Sequence, residues 1–103
     1  MNQQTVTIIK IKKGKEKILR DWFIQLETTR KNEALKSIKK ENVSQEWGTI
    51  VKIASSYYWI GYSQRSGKKK KADMRMKVNR EHRKITKQCI EKINHYPLLY
   101  SCK

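Results

Sequence analysis

Apolar and polar residues alternate in "TVTIIKIK", Thr5 to Lys12, and the run is rich in β-branched side chains. Such a segment reads as a strand, closed by the turn signal Lys13-Gly14. From Lys15 the period changes. Ile18, Leu19, Trp22, Phe23, Leu26, Ala34, Leu35 and Ile38 recur at helical spacing, although Arg30 occupies the middle of the stripe. This predicts one long helix from about Lys15 to Lys40. Alternation returns in "NVSQEWGTIVKI", Asn42 to Ile53. It sets Val43, Gln45, Trp47, Thr49, Val51 and Ile53 on one face, and Ser44, Glu46, Gly48, Ile50 and Lys52 on the other. "ASS" then makes a tight connection to "YYWIGYSQ", Tyr57 to Gln64, and the two runs read as an antiparallel hairpin.

A weakly periodic helix is predicted around Ala72, Met74 and Met76. Asn79 has the chemistry of an N-cap for the last helix, with Glu81 in its first turn, where the helix dipole favours a carboxylate. Val78, His82, Ile85, Cys89 and Ile93 form its inward stripe. Pro97 ends any helix, and "YPLLYSC" predicts a last strand at a sheet edge, because proline cannot donate to a ladder. The order is βαββαβ, one domain over residues 1–103. Right-handed crossovers give a four-stranded antiparallel sheet with two helices on one face, the ferredoxin-like α+β arrangement. The other face stays open and carries apolar side chains, which predicts a partner there.

Composition adds two constraints. Lysine and arginine total 25 against 9 acidic residues, for a net charge of +16. That favours polyanions and anionic ligands, and it equally serves solubility. Lysine dominates over arginine, the residue suited to bidentate phosphate contacts. The run Lys68 to Lys71 reads as a solvated loop able to grip nucleic acid only weakly. Cys89 and Cys102 have no metal-ligand spacing and read as free thiols. The N-terminus lacks the charge order of a signal peptide, and no run approaches the roughly 20 apolar residues of a membrane span. A soluble, cytoplasmic protein without membrane partners, metal or cofactor is expected.

RNA recognition modules share this topology, but their third strand reads basic-Gly-aromatic-small-aromatic. "SSYYWIGYS" does not, and strand one has no aromatic to stack a base. "IKIKKGKEKILRDWF", "TTRKNEALKSIKKENVSQEWGTI", "YYWIGYS" and "NREHRKITKQC" instead resemble a family of small bacterial proteins of unknown function. The shared pattern is carried by Gly14-Lys15, Arg30, Glu33-Ala34-Leu35, Glu46, Tyr58-Trp59, Glu81-His82-Arg83 and Cys89. Lys13 and Asn79 depart from it, standing where that family has Pro and Asp. The resemblance implies a dimeric α+β barrel, two protomers packed sheet to sheet, each with a pocket between its sheet and its own helices. Haem-degrading members of the wider superfamily pair a helix His with an Asn and a Trp. Thr7 and Ala72 stand at those places here, so haem degradation is not expected.

Four side chains are candidates for that pocket: Arg30, Glu46, Tyr58 and His82. His82 is the one polar residue of an apolar stripe and titrates near neutrality, which makes it the candidate catalytic group. It can equally be a hydrogen-bonded core residue. If Glu46 faces the helices it needs a cation, and Arg30 or His82 could supply one. Three functions follow as expectations. The first is a homodimeric small-ligand-binding or sensory module. The second is a cofactor-independent oxygenase or isomerase-like enzyme using His82. The third is a nonspecific nucleic-acid binder using surface lysines.

Overall fold

The structure is a computed structural model and describes residues 2–100 and Cys102. Four strands form one antiparallel sheet in the order β2-β3-β1-β4: β1 Asn2–Ile11, β2 Val43–Ile53, β3 Ser56–Ser66 and β4 Ile90–Pro97. Three helices are α1 Glu16–Glu27, α2 Lys31–Lys40 and α3 Lys77–Cys89. This is the expected ferredoxin-like α+β fold. Among the described residues no helix is long and apolar enough to cross a membrane.

The strand pairing fixes which residues share a face. Glu46 lies opposite Ser63, Gly48 opposite Gly61, and Ile50 opposite Trp59; Trp59 in turn pairs with Ile9 of β1. These positions face the helices. Leu19 of α1 and Cys89 of α3 are fully buried against Ile11, with Phe23, Ile50 and Trp59 packed around them. The alternate set, including Trp47, Val51, Ile60, Tyr62 and Tyr96, occupies the open face. There Trp47 stacks on Tyr62 at 4.9 Å between ring centres, yet remains 63% exposed.

Several expected boundaries move. The helix predicted over Lys15 to Lys40 is broken into α1 and α2 at Thr28–Arg30. The Thr28 hydroxyl donates back to the Ile24 carbonyl at 2.7 Å, and the Arg30 N–H reaches the Gln25 carbonyl at 2.8 Å, so both close α1. Leu35 consequently turns outward and is 50% exposed. No helix forms at Ala72–Met76, where a turn carries the chain into α3. Asn79 is not a cap: α3 begins at Lys77 after Met76, and the Asn79 side chain reaches back to the Asp73 carbonyl instead. The last strand starts directly after Cys89 and ends at Pro97, so Ile93 belongs to β4 rather than to the helix stripe. It is the edge strand expected, though shifted toward the N-terminus; Ser101 of the predicted run lies outside the described residues. Lys68 to Lys71 form an exposed loop, as expected.

Candidate functional site

The Trp59 indole lies flat across the helix-facing side of the sheet, over two glycines. A Cβ on Gly48 would stand 2.3 Å from the indole and 2.7 Å from the Ile60 carbonyl, and one on Gly61 would stand 2.6 Å from the indole nitrogen. The ring stacks on Phe23 of α1 at 3.8 Å with only 6° between planes. This pair lines the second of two adjoining cavities that open between the helices and β2.

The first cavity, about 280 Å³, lies between α2, α3 and β2 and is lined by His82, Glu46, Glu41 and Asn79 among apolar walls from Leu26, Ile38, Met74 and Val78. The second, about 600 Å³, is lined by Phe23, Ile50 and Trp59, with Arg20 and Lys31 also contributing. Leu26, Ala34, Ile38 and Glu46 belong to both, so they form one continuous groove.

His82 is fixed by α1. The Trp22 indole N–H donates to its Nδ1 at 2.8 Å, and Trp22 itself is buried. An indole nitrogen only donates, so Nδ1 must present a lone pair and the neutral ring carries its proton on Nε2. Burial lowers the His82 pKa below its ordinary value. Protonation would also turn Nδ1 into a second donor facing Trp22, which acts in the same direction. No side chain accepts from Nε2–H among the described residues, and the ring lines the first cavity.

Two carboxylates share that cavity. Glu46, on the edge strand where the cavities join, keeps much of its surface in water. Protein nonetheless crowds it, and this desolvation raises its pKa, with the Glu41 charge adding to the rise. Glu41 is raised by burial against opposing contributions from Ser37 and Lys69. Neither forms an ion pair among the described residues.

The four sequence-predicted residues therefore separate. His82 and Glu46 meet at one cavity. Arg30 does not reach Glu46; its guanidinium bonds Glu81 at 2.6 Å and Glu33 at 2.6 Å while lying over the Trp22 ring, 5.5 Å from its centre. Arg30 thus braces Trp22, which in turn holds His82. Tyr58 pairs with Lys10 and Val51 on the open face, and Trp59 takes the place beside the groove. Sequence reasoning missed Trp22 and Glu41. A buried indole needs an acceptor, which was a signal for Trp22; Glu41 follows a helix end and carried none. Among the described residues no group of three His, Cys, Asp or Glu side chains gathers to hold a metal ion.

A family model described as "Family of unknown function (DUF6176)" matches residues 3–101. A crystal structure of a protein of unknown function from Nitrosomonas europaea is similar at TM-score 0.50 and 14% identity, over 100% of this chain and 95% of that one, a likeness of fold. Comparison with curated proteins gives no match.

Proposed function

The chain belongs to DUF6176, a family of unknown function, and from that premise we propose that it is a homodimeric small-ligand-binding module. The ligand occupies the cavity between α2, α3 and β2. One observation carries this reading: the His82 Nε2–H has no acceptor among the described residues and lines a cavity of about 280 Å³ that also holds Glu46 and Glu41. An apolar wall with a few convergent polar groups is the usual make-up of a ligand site. His82 acts there as a donor. With Nδ1 occupied, Nε2 has no lone pair to take a proton from a substrate or to ligate a metal, so the enzyme reading with His82 as base gains no support.

The dimer forms through the open face. Trp47 and Ile53, 63% and 58% exposed, lie there with Tyr62 and Tyr96, and no helix among the described residues covers them. A second sheet packed on this face would bury that apolar surface.

Fragment screening by 1H–15N NMR tests the site, with Ala72→Phe as a cavity-filled control. The reading expects hits whose shifts cluster on Asn79, His82 and Glu46 and vanish in the control. Hits scattered over the surface, or unchanged in the control, contradict it.

A further inference from the structure

The cavity's ligand class follows from which polar groups are already satisfied. Ser37 has one hydroxyl proton and two acceptors near it, Asn79 Oδ1 at 2.6 Å and Glu41 Oε2 at 3.2 Å. The Asn79 amide is oriented by its Nδ2–H bond to the Asp73 carbonyl at 2.9 Å, so its oxygen faces Ser37 and takes the proton. The Thr86 hydroxyl donates to the His82 carbonyl at 2.8 Å. The Ser37 and Thr86 hydroxyl protons and the Asn79 side-chain oxygen are thus committed inside the protein. What the cavity still offers is acceptors on Glu46 and Glu41, the His82 Nε2–H donor, and the Arg83 guanidinium on the exposed side of the lining.

Those two carboxylates are unpaired among the described residues and line the same cavity. Cations outnumber acids 25 to 9, and Asp21, Glu33, Asp73, Glu81 and Glu91 all stand within ion-pair distance of a lysine or arginine. Glu16, Glu27, Glu41 and Glu46 do not, and of these four Glu41 and Glu46 share the first cavity, with Lys69 acting on Glu41 from beyond ion-pair distance. Arg83 contributes to the lining but is exposed and bonds neither carboxylate among the described residues. An anion placed there would meet two carboxylates. The net positive charge of the protein, which pointed to anions, is screened beyond about 10 Å at ordinary salt, so the local groups decide.

We propose that this cavity selects a small apolar amine, its ammonium group held by Glu46 and Glu41 and an acceptor on the same molecule taking the His82 Nε2–H. The assignment rests on the ligand-site reading above and specifies its chemistry. The hydrocarbon body packs on Leu26, Ile38, Met74 and Val78, and a longer body extends toward the Phe23–Trp59 pair. A bound cation compensates the carboxylates that burial otherwise disfavours.

Three matched probes test it: 2-amino-1-phenylethanol, 1-phenyl-1,2-ethanediol and mandelate, which present the same ring with a cation, a neutral group and an anion. Each is titrated into the protein and followed by 1H–15N NMR. At pH about 7.5 the amine should bind at least about tenfold more tightly than the other two, with shifts at His82 and Asn79. Its affinity should fall as the pH is lowered toward about 5, because protonation removes the carboxylate charges. Glu46→Gln should weaken the amine about tenfold, flatten that pH dependence, and leave the diol unaffected. Its spectrum reports whether the variant is folded, and Glu41→Gln serves as the second variant. Diol or mandelate binding as tightly at His82 overturns the amine assignment and leaves the ligand site standing. If none of the probes moves the cavity resonances, both readings fall.

Discussion

The indole of Trp22 donates to Nδ1 of His82 across 2.8 Å, and this contact decides what the imidazole can do. It places the ring's proton on Nε2 and points a donor, not a base, into the cavity. Arg30, lying on the Trp22 ring and bonded to Glu33 and Glu81, holds the donor itself in place. A surface cluster of charges is thereby connected to a residue inside the groove through one aromatic ring.

His82 should remain neutral below its ordinary pKa of 6.5, since burial lowers the value in the fold. The unfolded chain then binds the proton more readily than the folded one. The stability His82 contributes is full above pH 6.5 and is lost as pH falls through the folded-state pKa. Titration of the imidazole carbon-bound protons by NMR measures the direction. Trp22→Phe removes the N–H donor, should raise the His82 pKa relative to wild type, and should cost about 1–3 kcal/mol of stability from lost packing and the lost bond.

Glu46 carries the opposite sign. Its pKa is raised, so the folded state prefers the protonated carboxyl, and the stability this gives is lost as pH rises from 4.5 through the folded value. Glu46→Gln should therefore stabilise the ligand-free protein at pH 7. The gain should stay below about 1 kcal/mol, because water reaches the side chain and screens it. Urea denaturation at pH 4 and pH 7 checks this; a variant less stable than wild type at pH 7 would contradict it.

The glycine pair under Trp59 makes a differential prediction. Gly61→Ala and Gly48→Ala should each destabilise by about 1–3 kcal/mol through overpacking. At Gly61 the contacts are to the Trp59 side chain alone, so Trp59→Leu should remove most of that cost. At Gly48 the Ile60 carbonyl, 2.7 Å from the added Cβ, is backbone, and part of the cost should persist. A double-mutant cycle in thermal denaturation separates the two.

The sheet topology was legible in the sequence because β-branched and aromatic runs bounded by turn signals mark the strands, and the tight Ala54-Ser55 connection fixes the hairpin register, Ile53 opposite Ser56. Strand parity set Glu46 on the face opposite Trp47, and the structure turns that face to the helices. The break at Thr28–Arg30 was less legible. Apolar spacing survives across it, while its cause is local hydrogen bonding by Thr28. Asn79 looked like a cap because capping chemistry and a reach toward a neighbouring loop use the same side chain. The family resemblance points Tyr58 to the groove, whereas strand parity, with the register known, puts it on the face opposite Trp59. Trp22 read simply as core, and its bond to His82 joins residues 60 positions apart, beyond any local pattern.

The open face gives a prediction about assembly. Trp47→Lys places a charge where the proposed second sheet packs, and should convert a dimer into a monomer of 12.3 kDa in light scattering. A wild-type protein already monomeric at micromolar concentration contradicts the dimer.

The most direct test of the central claim is the imidazole 15N spectrum of His82 at neutral pH, recorded through long-range couplings to the ring protons with and without 2-amino-1-phenylethanol. The account predicts a neutral ring with its proton on Nε2, and an Nε2 resonance that moves when the amine is added while Nδ1 stays bonded to Trp22. A proton on Nδ1, a charged ring, or an Nε2 resonance indifferent to the probe would contradict it.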